Sequence, residues 1–143
     1  MQNDITYIYL TPAEHKRLQT FEKRYRNAAR DTFTQRVAYY HQFTGGKYTS
    51  ITIRDQKSRW GSCSSRGTLS FNYRLIFAPP KVLDYVVVHE LCHLTHMNHS
   101  KDFWHMVSEV MPEYKEYKNW LREHGQELNL VSYLEKQGIP VKL

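Results

Sequence analysis

The amino-acid sequence predicts an α+β fold in which a small antiparallel sheet packs against two helices. Three observations lead to this prediction. A long stretch with helical periodicity comes first, three short strand-like stretches with turn signals follow, and an apolar helical stretch comes next. At 143 residues the chain has the length of one domain, so we expect residues 1–143 to form a single domain.

The first predicted helix begins with a strong start signal, Thr11-Pro12-Ala13-Glu14. Thr11 can cap the helix, Pro12 suits its first turn, and Glu14 can complete a capping box. Apolar residues then recur at helical spacing, so the helix should span residues 12 to about 40 and bury one face. The other face is basic and carries Lys16, Arg17, Lys23, Arg24, Arg26, Arg30 and Arg36. Such a face is usually just hydrated, and contact with nucleic acid is the alternative.

Three strands are expected after Gly45-Gly46 breaks the helical pattern. Residues 48–53 alternate between apolar and polar side chains, as in a half-buried strand. A second strand is predicted around residues 60–64 and a third over residues 68–72, joined by a turn at Arg66-Gly67. We expect these strands to form a small antiparallel sheet, with the two helices covering one face.

The remaining chain is predicted to be helical. A second helix should begin just beyond Pro79-Pro80. Ser100 can cap a third helix over residues 101–110, and a fourth should span residues 113–123. A last short helix is predicted over residues 127–136.

Two histidines and a glutamate make the second helix a candidate for metal binding. His89 and His93 are four residues apart, so both imidazoles lie on one helix face and can reach one metal ion. Glu90 projects about 100° round the helix from His89, near enough to reach a water molecule on that metal. Zinc with three protein ligands keeps a fourth position for such a water, whose proton a carboxylate can accept. The motif lies in an apolar helix, which argues against a chance match on a hydrated surface.

The third ligand has to come from outside this helix. His96 shares the helix face, but it lies roughly 10 Å along the axis from the first histidine, too far for metal–nitrogen bonds of about 2 Å. His99 is the favoured ligand, because Asn98 can adopt the left-handed conformation that ends a helix and turns the chain back. Glu109 and Glu113 on the following helix are the alternatives.

Composition narrows the class of protein further. The chain has 20 Lys and Arg against 14 Asp and Glu, a formal charge of +6, which suits either an acidic partner such as nucleic acid or ordinary solubility.

Cys63 and Cys92 are too few for a disulfide framework and are expected to be free thiols. Met1-Gln2-Asn3-Asp4 does not open like a signal peptide, and no apolar run reaches membrane-spanning length. We therefore expect a cytoplasmic monomer that does not enter membranes.

Four motifs together resemble the bacterial YgjP-like metallopeptidase family, which is related to the SprT-like and WLM zinc proteases. The resemblance covers about residues 53–121. The motifs are Lys57-Ser58-Arg59-Trp60-Gly61-Ser62-Cys63-Ser64, Asn72-Tyr73-Arg74-Leu75, residues 83–94 around the two histidines, and Met97-Asn98-His99-Ser100 with Phe103-Trp104.

The resemblance implies a zincin-like fold, a Zn²⁺ ion held by His89, His93 and His99, and Glu90 as the catalytic base. It also implies that an edge strand lines the cleft. Trp60 and Gly61 would then let an extended peptide add to that strand, although Trp60 in the core and a bulge at Gly61 explain the same residues.

Arg59 and Asn72 are further candidates for substrate binding, because either side chain could orient a peptide or stabilise an oxyanion. Structural hydrogen bonding is the commoner use of such residues.

Two hypotheses of different class follow. The first is a zinc peptidase that hydrolyses polypeptides, including proteins associated with DNA. The second is a non-enzymatic basic module that zinc stabilises and that binds nucleic acid or a protein partner.

Overall fold

The computed structural model describes residues 10–142, and within that range five α-helices surround a three-stranded sheet. In chain order the elements are α1 (Pro12–Thr44), β1 (Ser50–Arg54), β2 (Gly61–Cys63), β3 (Thr68–Asn72), a 3₁₀ helix (Tyr73–Phe77), α2 (Pro80–Cys92), α3 (Lys101–Val110), α4 (Tyr114–His124), a second 3₁₀ helix (Gly125–Glu127) and α5 (Leu130–Lys136). The predicted α+β class is confirmed. The first four residues, which we read as unlike a signal peptide, lie outside the described range.

Helix α1 begins with the predicted capping box. The Thr11 hydroxyl accepts a hydrogen bond from the Glu14 amide at 3.2 Å, and the Glu14 carboxylate accepts one from the Thr11 amide at 2.8 Å. The helix continues to Thr44, beyond its predicted end, and Gly45 ends it with a φ of 66°. A residue with a side chain rarely adopts that φ, so glycine sets the boundary.

The sheet is mixed, so the prediction of an antiparallel sheet is wrong for one pairing. The strand order is β1-β3-β2, with β2 antiparallel to β3 but β1 parallel to β3. Residues 55–67 carry the chain to the far edge as β2 and return it through the hairpin to the centre. Parallel neighbours require such a long crossover, and the spacing of strand-like segments alone does not reveal it.

Both long helices cover the same face of the sheet, as predicted. Phe71 in β3 stacks on Phe33 of α1, with ring centroids 4.5 Å apart and planes 6° apart. Gly61 pairs with Phe71 across the strands and faces Glu90 of α2. Residues directly opposite each other in a sheet point to the same side, so α1 and α2 share it.

Helix α2 is buried on nearly all sides, and Asp84, one of its two buried acids, is tied to α1. The Asp84 carboxylate accepts hydrogen bonds from Arg36 Nε at 2.8 Å, Arg36 Nη2 at 2.9 Å and the Tyr40 hydroxyl at 3.0 Å. Paired donors of this kind fix both the charge and the geometry of a carboxylate. The contact therefore holds α2 in a defined position against α1.

The C-terminal segments follow the prediction with one difference. Ser100 caps α3 as expected, accepting from the Phe103 amide at 3.3 Å. The predicted last helix is divided into a 3₁₀ turn and α5, because Asn129 caps α5 by accepting from the Ser132 amide at 2.8 Å.

A second apolar cluster joins this tail to the start of α1; it consists of Leu10, Leu18, Leu130, Val131, Leu134 and Val141. Between residues 10 and 142, no helix combines the length and the apolar character that crossing a membrane requires.

Candidate active site

His89 and His93 lie at the C-terminal end of α2. His93 is the first residue after the helix, but its φ of −67° and ψ of −18° remain helical. The i,i+4 spacing is therefore preserved, and the two Nε2 atoms lie 3.3 Å apart.

His99 reaches the other two histidines because the chain turns sharply after α2. The amides of His93, Leu94 and Thr95 each bond the carbonyl three residues earlier, at 3.0 to 3.2 Å, which tightens the helix end. The predicted left-handed conformation of Asn98 is wrong, since every positive φ in residues 10–142 belongs to a glycine. The chain turns by 3₁₀-type hydrogen bonds instead.

The three imidazoles form a triangle that suits a single cation. His99 Nε2 lies 3.1 Å from Nε2 of His89 and 3.1 Å from Nε2 of His93. Ligand nitrogens on a tetrahedral zinc, at bonds of about 2.0–2.1 Å, stand about 3.3 Å from one another. The group with this geometry contains neither His96 nor the alternatives Glu109 and Glu113.

The environment favours the neutral, metal-binding form of two of these histidines, His89 and His93. Burial, with the charges of His93, His99 and Lys118, lowers the pKa of His89 to about 3. Burial is also the main cause that lowers the pKa of His93. Neutral imidazoles offer a nitrogen lone pair at physiological pH, as a metal site requires.

Neighbouring groups fix the orientation of each ring. His93 Nδ1 lies 2.9 Å from the His96 carbonyl, and His89 Nδ1 lies 3.4 Å from the Tyr85 hydroxyl. Trp104 stacks on His99, with centroids 5.8 Å apart and planes 23° apart. Such partners direct the Nε2 atoms toward a common point. Our sequence reading did not identify these supporting roles, although the i,i+4 spacing of Tyr85 and His89 was a usable signal.

Glu90 lies beside the histidines in a confined space. Glu90 is 6% exposed, and this burial raises the pKa of its carboxylate to about 8. The positive charge of Arg59 partly offsets that increase. Gly61 of β2 passes so close that a Cβ there would lie 3.0 Å from both Cγ and Oε2 of Glu90. The pairing of Gly61 with Phe71 continues regularly along β2, so glycine is required here by this close approach rather than by a bulge.

A cleft of about 360 Å³ opens beside His89 and Glu90. One wall is the start of β2 and the other is α4, and the lining residues are Arg59, Trp60, Gly61, Tyr85, Val86, His89, Glu90, Lys118, Leu121 and Arg122. The structure thus brings three of the four candidate substrate residues into the cleft. Lys118 and Arg122 of α4 were not predicted, although their spacing around the buried Leu121 places them on one helix face.

Asn72, the fourth candidate, lies outside this cleft and supports the loop before β2. Its side-chain amide donates to the carbonyls of Gln56 and Arg59, the latter at 3.1 Å, and its oxygen accepts from the Arg74 amide at 3.0 Å. Asn72 therefore positions the loop that carries Arg59, and its role toward substrate stays a prediction.

Comparison with known proteins identifies a family and a similar fold. A family model described as YgjP-like, metallopeptidase domain, matches residues 2–124. The chain belongs to the YgjP-like metallopeptidase family. This YgjP-like protein is accordingly a metal-dependent peptidase, which confirms the enzyme hypothesis over the non-enzymatic module.

The fold of this YgjP-like protein also resembles a solved structure, the metallopeptidase zymogen abylysin of Pyrococcus abyssi. The TM-score is 0.57 at 24% identity, over 66% of this chain and 93% of that one. At this identity the likeness shows a shared fold. None of the curated proteins matches the chain.

Proposed function

We propose that the protein is a zinc endopeptidase in which His89, His93 and His99 hold Zn²⁺ and Glu90 is the general base. The observation that carries the proposal is the triangle of Nε2 atoms, 3.1 to 3.3 Å on each side, next to a buried carboxylate. Three nitrogen donors with a neighbouring acid are the donor set of catalytic zinc sites, which leave one coordination position for substrate or water.

Bound zinc would activate a water molecule and polarise the carbonyl of the scissile peptide bond. The charge of a bound cation would favour the ionised form of Glu90. Glu90 then accepts the proton of the attacking water at its carboxylate and delivers it to the leaving amine. Gly61 leaves room for Glu90 in the position from which it does so. The exposed edge of β2 pairs with an extended substrate, while Trp60 and Arg59 contact the substrate from the cleft wall.

Four substitutions test this assignment. Glu90→Gln should retain zinc and lose about 100-fold or more in casein hydrolysis, because it cannot accept a proton. His89→Ala and His93→Ala should lose the metal itself. His96→Ala is the matched control, since its ring lies outside the histidine group and the carbonyl that orients His93 is unchanged. Full turnover in Glu90→Gln, measured beside the zinc content of each variant, would contradict the mechanism.

Zinc-edge X-ray absorption tests the ligand set directly. We expect three nitrogen ligands and one oxygen ligand from solvent, as in a catalytic site. Four protein ligands would indicate a closed structural site instead.

A second candidate function is contact with nucleic acid through the exposed face of α1. Lys23, Arg26 and Arg30 line one groove there, together with Gln19, Asn27, Ile53 and Glu22, which pairs with Arg26 at 3.7 Å. The groove therefore keeps a net positive charge. We propose that this surface binds DNA phosphates and brings the peptidase to DNA-associated proteins. Electrophoretic mobility of duplex DNA at low salt is the measurement, with Lys23→Gln and Arg30→Gln expected to weaken the shift. No shift with the unchanged protein would remove this role.

A further inference from the structure

The cleft beside Glu90 has an unusual balance of charge. Three cations line it, and Glu90 is the single acidic residue among the described residues of the lining. Arg59 comes from the loop before β2, whereas Lys118 and Arg122 come from successive turns of α4. Positive charge therefore faces the cleft from both of its walls.

The three cations line the same cleft as the proposed catalytic groups His89 and Glu90. Lys118 Nζ is 4.3 Å from the centroid of the Trp104 ring, and that ring stacks on His99. Arg59 lines the cleft from the opposite wall, on the same side as Trp60 and Gly61. A group bound between these cations would thus lie next to a bond held at the histidines.

These cations are also unpaired. In residues 10–142, no carboxylate forms an ion pair with Arg59, Lys118 or Arg122. By contrast, Arg36 pairs with Asp84 and Arg74 with Asp55, so these two arginines do not offer a free charge. Unpaired like charges around one cleft attract an anion that relieves their mutual repulsion.

We propose that Arg59, Lys118 and Arg122 select a carboxylate of the substrate, so that this peptidase cleaves next to acidic residues. The inference rests on the proposed peptidase function and assigns the specificity of the same cleft. The carboxylate belongs either to an Asp or Glu side chain or to a free C-terminus. The apolar lining by Trp60, Val86 and Leu121 fits a peptide better than a nucleic-acid backbone.

Binding provides a test that does not require turnover. The probes are an acetylated and amidated heptapeptide with two central Glu residues and the same peptide with Gln at both positions. At low salt, zinc-loaded, full-length Glu90→Gln protein should bind the Glu peptide several-fold more tightly than the Gln peptide. Added salt should remove this difference, because it screens the charges of the exposed cations. Equal affinity for the two peptides would overturn the inference.

Substitutions in α4 identify the groups responsible. In the same background, Lys118→Gln and Arg122→Gln should each weaken binding of the Glu peptide about threefold to fivefold, the scale expected for exposed charges. Lys115→Gln is the matched control, because Lys115 belongs to the same helix but does not line the cleft. An equal loss in the control would indicate a nonspecific charge effect and would also overturn the assignment.

Two further probes distinguish the sources of the anion. A Gln peptide with a free C-terminus that binds as tightly as the Glu peptide would support the carboxylate site and assign the carboxylate to the chain end. An oligothymidine that displaces the Glu peptide at matched charge concentration would overturn the peptide assignment in favour of phosphate.

Casein digestion separates this inference from the proposed function. Cleavage sites mapped by mass spectrometry should be enriched in Asp and Glu beside the scissile bond, and Lys118→Glu with Arg122→Glu should shift the enrichment toward Lys and Arg. Cleavage without any acidic preference would overturn the inference and leave the peptidase function intact. No cleavage, with cation-dependent binding of the Glu peptide preserved, would overturn the peptidase function and leave the carboxylate site.

Discussion

Gly61 lies where the edge strand β2 passes over the carboxylate of Glu90, and a methyl group would fit between them only if a neighbour shifted by a few tenths of an ångström. A Cβ at this position would also lie 3.1 Å from the Ser70 carbonyl. The backbone carbonyl is fixed by the sheet, so Glu90 is the group that would have to move. A single residue without a side chain thus sets the position of the proposed base.

Gly61→Ala should therefore lower kcat while the metal content is preserved. Displacement of a catalytic group by about 1 Å costs about 100-fold, so the smaller shift expected here should cost roughly threefold to tenfold. Ser62→Ala is the control, since its side chain points to the other face of the sheet. Kinetics beside zinc analysis measure both variants, and unchanged turnover in Gly61→Ala would show that Glu90 does not need its present position.

Among single residues, the sequence predicted those whose side chains bind metals or transfer protons. His89, Glu90 and His93 follow from spacing within one helix, and His99 is within reach of it. Lys118 could not be assigned, because a lysine on a helix looks the same whether it faces solvent or a cleft. Its role depends on α4 packing against α2, which is a long-range contact.

Among the elements, the contact between α1 and α2 depends on one buried charge. The side chain of Asp84 is 6% exposed and that of Arg36 is 35% exposed. A carboxylate in such a place costs free energy unless its partners are present. The Arg36 guanidinium and the Tyr40 hydroxyl are those partners, so the two helices are joined by polar as well as apolar contacts.

Arg36→Met should lower the free energy of unfolding by about 3 kcal/mol, because it leaves Asp84 buried without its cation. The value lies at the lower end of the usual range, since water can approach from the side of Arg36. Urea unfolding is the measurement, and Arg30→Met on the exposed face of the same helix is the control. Adding Asp84→Asn to Arg36→Met should restore part of the loss, and a double variant less stable than the single one would contradict this explanation.

The same contact predicts an alkaline loss of stability. Burial and the neighbouring Asp84 carboxylate raise the pKa of Tyr40 to about 12, whereas an unfolded tyrosine titrates near about 10. Between these values the unfolded chain releases a proton that the folded chain retains, so stability falls as pH rises. In Tyr40→Phe the slope should be smaller by up to about 1.4 kcal/mol per pH unit. Unfolding curves across this range that stay parallel in the two proteins would refute the link.

The helices were predictable from sequence and the sheet was predictable only in part. Thr11 and Ser100 cap the starts of α1 and α3, and Gly45 ends α1. Each of these residues acts on a helix end only a few residues away. The pairing of β1 with β3 joins segments separated by the whole of β2, and no local signal records it. The helix-ending role predicted for Asn98 was wrong for a similar reason, since α2 ends at Cys92 and the chain after it turns through backbone hydrogen bonds that the side chains do not indicate.

Across the molecule as a whole, the described residues 10–142 form two apolar clusters that are joined by common neighbours. Tyr25 and Phe77 pack against both clusters, and their rings lie 5.4 Å apart. The second cluster includes the chain beyond residue 124, where the family match ends. Gly125 also lies against Trp60, since a Cβ there would be 2.8 Å from the Trp60 ring. The C-terminal segment thus supports one wall of the cleft.

Leu134→Ala should lower the free energy of unfolding of the entire protein by about 2–3 kcal/mol. Leu134 is 1% exposed, and truncation of a buried leucine leaves a cavity. Because the clusters are joined by common neighbours, we expect one transition, at a lower urea concentration, by both tryptophan fluorescence and circular dichroism. Glu135→Ala on the exposed side of α5 is the control. A separate early transition, with the main one unchanged, would mean that the tail folds independently.

The shortness of β2 has a consequence for how a substrate is aligned. Three residues form this strand, and one of its sides is occupied by β3. Its free side offers main-chain partners for only about two hydrogen bonds, since successive residues of a strand alternate in direction. Because these backbone hydrogen bonds are so few, a peptide can form them in many registers with almost equal stability. Choice of the scissile bond therefore falls to the side chains around the strand, and sequence preference in this enzyme should be changeable without altering the sheet.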